Sequence, residues 1–93
     1  MNRKWVTKVD GKDYVIEVDY GVLVSNDEET KEVIFQRDGK LVVDGKEIET
    51  WEAGELPKEI SFDLGGKPAN LKKKGLFNKQ LELFFNGQKI KPV

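Results

Sequence analysis

Residues 40–51 read KLVVDGKEIETW, with the pair Asp44-Gly45 set between two short runs that alternate apolar and polar residues. Asp-Gly suits the two positive φ angles of a type I′ turn, whose twist matches that of the strands it joins. The stretch therefore reads as a β-hairpin. A second pair, Asp38-Gly39, lies just upstream. Two reversals so close together predict a small antiparallel meander with a very short middle strand, Leu41–Val43, unless one pair forms a bulge in place of a turn.

The same punctuation recurs at Asp10-Gly11, Gly65-Gly66 and Asn86-Gly87. Between these pairs the apolar period is two. Tyr14, Ile16, Val18 and Tyr20 share one face, with Glu17 and Asp19 on the other. Ile60, Phe62 and Leu64 alternate with Ser61 and Asp63, and Leu81, Leu83 and Phe85 alternate with Glu82 and Phe84. Each pattern describes a strand with one buried and one wet face. Strands are expected at Trp5–Val9, Tyr14–Tyr20, Glu32–Arg37, Leu41–Val43, Glu47–Trp51, Ile60–Leu64, Ala69–Lys73, Gln80–Phe85 and Lys89–Lys91, with Val22–Val24 continuing the second strand past Gly21 through a bulge. Ser25–Thr30 reads as a polar loop with room for one helical turn, because Ser25 and Glu28 resemble a capping box. Glu52–Glu59 contains Pro57, which cannot donate to a ladder, and so predicts a crossover between sheets. The expected fold is an all-β antiparallel sandwich of about eight strands, in a single domain spanning residues 1–93.

The 93 residues include no cysteine and no histidine. Disulfides, thiol nucleophiles and cysteine zinc sites are thereby excluded, and the commonest general base and metal ligand is missing. The first residues, MNRKWVTKVDGKDY, contain no apolar segment of the signal-peptide kind, and no apolar run approaches the length of a bilayer span. A soluble, cytoplasmic monomer without a membrane partner is the expectation. Charge is unevenly spread: residues 1–66 hold 9 Lys/Arg against 16 Asp/Glu, whereas residues 67–93 hold 7 Lys against Glu82 alone. The simplest expectation is that acidic and basic strands lie side by side and pair across the sheet. The alternative is a dipolar surface that steers a partner.

A series of motifs in fixed order resembles a known family. Trp5-Val6 is followed by Asp10-Gly11 and the alternating YVIEV of Tyr14–Val18; then come Asp44-Gly45-Lys46, Ile48-Glu49-Thr50, Ala53-Gly54-Glu55, and Phe62 with Gly65. The basic KKKG of Lys72–Gly75, Leu81 and Leu83, Asn86-Gly87 and Ile90 complete the series. In order and spacing the chain resembles the domain repeated in the Fas apoptotic inhibitory molecule family. The resemblance implies a compact antiparallel β-sandwich that works by binding other proteins, in protection from cell death and in neuronal outgrowth. It implies no catalytic residues and no cofactor. Family members pair two such domains, and this chain holds one.

Candidate sites divide by chemistry. The carboxylates Glu17, Asp19, Glu47, Glu49 and Asp63 fall at outward strand positions, as a solvated face requires, and nothing in the pattern builds the facing pair of a glycosidase. Asn26-Asp27-Glu28-Glu29 is rich in oxygen but lacks EF-hand spacing, so no metal site is expected. Lys72, Lys73 and Lys74, with Lys67 and Lys79 nearby, make one basic patch. Phe77 beside it is a possible stacking surface for nucleic acid, but the net charge of −1 and the lack of a nucleic-acid motif speak against that partner. Guarding a sheet edge is the structural reading of these lysines. Trp51 has the parity of Glu47 and Glu49 and is expected to be partly exposed, and Phe84 shares the side of Glu82. Trp51, Lys72, Lys73, Lys74 and Phe84 are therefore the expected contacts to a protein partner. The alternative is a carbohydrate-binding module with Trp5, Trp51 and the tyrosines as its platform.

Overall fold

The computed structural model describes residues 2–25, 33–75 and 80–93. Among them are ten strands and no helix: β1 (Asn2–Val9), β2 (Lys12–Asp19), β3 (Val22–Ser25), β4 (Val33–Arg37), β5 (Gly39–Val43), β6 (Lys46–Trp51), β7 (Glu59–Leu64), β8 (Lys67–Lys74), β9 (Gln80–Phe85) and β10 (Gln88–Ile90). The first sheet has the order β1-β2-β5-β6 and the second β10-β9-β8-β7, every pair antiparallel. Their inner faces meet in one core. Trp5, Val9, Ile16, Val18, Leu41 and Trp51 come from the first sheet. Ile60, Leu64, Ala69, Leu71, Leu81 and Leu83 come from the second. Each fully buried aliphatic side chain contributes about 1.5–3 kcal/mol. The sandwich expected from the period-two pattern is what forms, with β3 and β4 as an additional pair.

Four of the five glycine-containing pairs are two-residue hairpin turns with both φ angles positive: Asp10-Gly11, Asp44-Gly45, Gly65-Gly66 and Asn86-Gly87. Asp38-Gly39 is not. Gly39 opens β5 and pairs directly with Trp51 on β6. A Cβ at Gly39 would fall inside the van der Waals shell of the Trp51 indole nitrogen. This glycine is therefore a seat for an aromatic ring, and the crowding of two Asp-Gly pairs around Leu41–Val43 holds a single reversal.

β2 pairs Asp19 with Lys40 of β5, and β3 pairs Val22 with Arg37 of β4. The two ladders share one register, so β2–β3 and β4–β5 are a single long hairpin interrupted at Tyr20-Gly21 and Asp38. The strand does resume past Gly21 as expected, but not through a bulge there: the register is unchanged across the glycine, and the shift lies further out, at Val24/Ser25. Gly21 has φ 80°, and a Cβ there would approach the Arg37 carbonyl oxygen to 2.6 Å. Asp19 holds the kink, accepting from Gly21 N–H at 2.9 Å and from Arg37 Nη2 at 3.0 Å. Burial works to raise the Asp19 pKa, but the Gly21 bond and the Arg37 guanidinium outweigh it and hold the carboxyl below its ordinary value.

Residues 52–58 carry the chain from the first sheet to the second, with Pro57 inside the crossover as expected. After β10 the chain returns to the first sheet, where Val93 N–H donates to the Lys4 carbonyl at 2.9 Å. The polar loop expected at Ser25–Thr30 falls, beyond Ser25, outside the described residues, as do Phe77 and Lys79.

The two tryptophans depart from the sequence expectation. Trp5 is fully buried and Trp51 is 9% exposed, so they form no surface platform for a sugar or a peptide. The cause at Trp51 is a bulge. Leu41 pairs with Glu49 but Val42 with Glu47, which makes Ile48 an extra residue in β6. The alternation of KEIETW is broken there: Ile48 is 43% exposed, and Trp51 joins the face of Gly39 and Leu41.

Candidate interaction site

The outer face of the second sheet collects side chains of odd parity on β7 and even parity on β8 and β9. β7 supplies Glu59, Ser61 and Asp63. Cross-strand pairing sets Ser61 beside Asn70, Asp63 beside Pro68, Asn70 beside Phe84 and Lys72 beside Glu82. Directly paired residues of an antiparallel ladder project to the same side. Between them lies a groove of about 670 Å³, lined by Ser61, Asp63, Pro68, Asn70, Lys72 and Phe84 among others.

Two of the expected contacts meet in this groove. Lys72 Nζ lies 5.4 Å from the centroid of the Phe84 ring, close enough for a cation–π interaction of about 0.5–1 kcal/mol at an exposed position. Phe84 is half-buried, with its ring forming part of the groove. Asn70 Nδ2 donates to Glu59 Oε2 at 2.6 Å and fixes the amide beside Phe84. Lys74 sits further along the same face and reaches Glu82 at 3.7 Å, while Lys89 on β10 reaches it at 2.6 Å. The Lys89 bond, with Lys74 adding, holds the Glu82 carboxyl below its ordinary pKa against the effect of burial.

Lys73 is not part of this face. It pairs with Leu81 and has the parity of Leu71, so it turns to the core side at the end of the strand, half-buried. Trp51 is in the core of the first sheet and belongs to no surface site. The edge-guard reading of the lysines also fails, because β8 is an interior strand between β7 and β9. Nor is the patch simply basic. Glu59, Asp63 and Glu82 share the face with Lys72, Lys74 and Lys89, so its formal charges cancel.

The charge expectation holds at one seam: β7, the last strand of the acidic part, pairs with β8 of the basic part and sets Glu59 opposite Lys72, while the first sheet has no strand from the basic part. Among the described residues, the ion pair that links the two sheets joins Lys67 to Asp10 in the β1–β2 turn, at 3.7 Å. The other ion pairs stay within one part, as with Lys8 and Asp13 or Lys12 and Asp44.

Asn70, Pro68 and Glu59 are site residues that the sequence reading passed over. The signal was present: a two-residue Gly65-Gly66 turn fixes Leu64 opposite Lys67, and hence Ser61 opposite Asn70. The β8–β9 register had no such signal, because residues 75–79 are a longer connection.

The oxygen-rich Asn26–Glu29 stretch lies outside the described residues, and among those described no group of three or more carboxylates is placed to hold a metal ion. Comparison of the chain with family models, curated proteins and solved structures gives no match.

Proposed function

We propose that this chain is a non-enzymatic protein-interaction module of the Fas apoptotic inhibitory molecule type, and that it meets its partner on the outer face of the second sheet. The observation that carries the reading is the groove in which Lys72 lies over Phe84, with Asn70 pinned beside them. An aromatic ring, a proline and a lysine stem supply apolar contact, while Asp63 and Ser61 along one wall supply polar partners. Such a surface has the make-up of a recognition face, in which a few buried aromatic and cationic side chains dominate the energetics. The ordered motifs that resemble the family support the class of function, regulation of apoptosis or of stress protection through a bound protein.

The test is capture of binding proteins on immobilised chain. Phe84→Ala combined with Lys72→Glu is expected to reduce recovery of the specific partner at least about tenfold, as loss of a central contact of about 1.4 kcal/mol or more would. Lys40→Glu, on the outer face of the first sheet, is expected to leave recovery unchanged. Equal recovery by the groove variant, with its melting curve intact, rejects this face as the binding surface.

A further inference from the structure

The two sheets have four edges, and two of these are blunted. β6 carries the bulge at Ile48, and β10 has only three residues. β1 and β7 are longer, at 8 and 6 residues, and pair with their neighbours without a register shift. A long, regular edge is a template for another strand.

Turn geometry decides which backbone groups face outward along these edges. A two-residue turn makes its flanking residues a hydrogen-bonded pair, here Val9 with Lys12 and Leu64 with Lys67. Counting back by twos, Trp5 and Thr7 bond to β2, and Ile60 and Phe62 bond to β8. The N–H and C=O groups of Lys4, Val6 and Lys8 therefore point away from the first sheet, as the bond from Val93 N–H to the Lys4 carbonyl demonstrates. Those of Glu59, Ser61 and Asp63 point away from the second. Among the described residues, no backbone bond reaches that side of β7.

The geometry points to head-to-tail self-association, in which β1 of one copy adds antiparallel to β7 of the next. The register pairs Lys4 with Asp63, Val6 with Ser61 and Lys8 with Glu59. All six side chains are exposed, and every one of these pairs has its backbone groups aimed at the other strand. Two lysines four residues apart meet two acids four residues apart, on the same outer face. Self-pairing fails by the same rule: β1 against β1 about Val6 sets Lys4 opposite Lys8, and β7 against β7 about Ser61 sets Glu59 opposite Asp63. Like charges directly opposite are destabilising. Each edge thus rejects its own copy and accepts the other. The contact joins two different surfaces, so it builds a row or a ring rather than a two-fold dimer. It departs from the monomer expected from the sequence, and its β7 edge shares Ser61 and Asp63 with the wall of the Lys72–Phe84 groove, so sedimentation reads it without any partner protein present. The tail at Val93 must yield the Lys4 carbonyl to the incoming strand.

Sedimentation velocity of the full chain over a concentration series tests this. At low salt the mean mass is expected to climb past twice the monomer value, and to fall back in about 1 M salt, where the screening length is near 3 Å. Lys4→Glu/Lys8→Glu alone and Glu59→Lys/Asp63→Lys alone are each expected to remain monomeric. An equimolar mixture of the two is expected to associate again, because every contact then has opposite charges. Circular dichroism on each variant checks that its sheets are intact. A wild-type chain that stays monomeric throughout the series overturns the proposal, as does a mixture of folded variants that associates no better than either alone.

Discussion

Trp5→Ala is expected to cost about 3–5 kcal/mol, a large part of the stability of a chain this size. Trp5 lies on β1 with no exposed surface, and its face also carries Thr7 and Val9. Removing the indole strips the largest side chain from that end of the first sheet and leaves a cavity that a rigid β-layer cannot close. Urea unfolding followed by circular dichroism measures the loss. Trp5→Phe is expected to cost much less. Among the described residues nothing accepts from Trp5 Nε1, so the phenylalanine ring restores most of the volume and also removes a buried, unpaired donor. A Trp5→Phe variant as unstable as Trp5→Ala would show that the indole N–H has a partner of importance.

Gly39→Ala is expected to cost about 3 kcal/mol, far beyond the few tenths that an exposed strand position shows. The backbone at Gly39 is ordinary, so conformational strain is not the cause. The added methyl collides with the Trp51 indole, a rigid ring held in the core, and the ring must leave its position. At a slope of about 1.5 kcal/mol/M the urea midpoint falls by about 2 M. Trp51→Leu should relieve the collision, so the double variant Gly39→Ala/Trp51→Leu is expected to be more stable than the sum of the two single losses allows. Simple additivity would mean that the two residues do not touch.

These two positions also mark where the sequence was hard to read. Asp38-Gly39 and Asp44-Gly45 are the same dipeptide, yet one is a seat for a ring and the other a turn. The difference is tertiary: it depends on what lies across the ladder, and the local pattern of turn residues contains no trace of that. In KEIETW the apolar residues Ile48 and Trp51 lie three apart, so a regular strand buries only one of them. The register of the Asp44-Gly45 turn favours Ile48, and the bulge that reverses the choice depends on the ring seat at Gly39 across the ladder. Lys72–Lys74 read as one patch because they are consecutive. A strand sends neighbours to opposite faces, and the inward parity of Leu71 already placed Lys73 apart from Lys72 and Lys74. The edge position expected for these lysines required the strand order, which no stretch of β8 encodes. What was plain in the sequence was plain for a physical reason. Glycine-bearing turns with two positive φ angles and one-sided apolar strands are local requirements, and they fixed the layers and the crossover at Pro57, whereas the meeting of Lys72 with Phe84 required the β8–β9 register.

The functional reading depends on β8 and β9 being paired so that Lys72 and Phe84 emerge on one outer face. The bond from Asn86 N–H to the Pro68 carbonyl sets the alternation, which leaves Leu71 and Leu83 as a close, non-hydrogen-bonded pair. The nuclear Overhauser spectrum of the folded chain measures this directly. A strong cross-peak between the α-protons of Leu71 and Leu83, together with contacts from the Lys72 side chain to the Phe84 ring, is the predicted result. A cross-peak that pairs Lys72 with Leu83 in place of Leu71 would shift the register by one residue, turn Lys72 and Phe84 to opposite faces, and contradict the site.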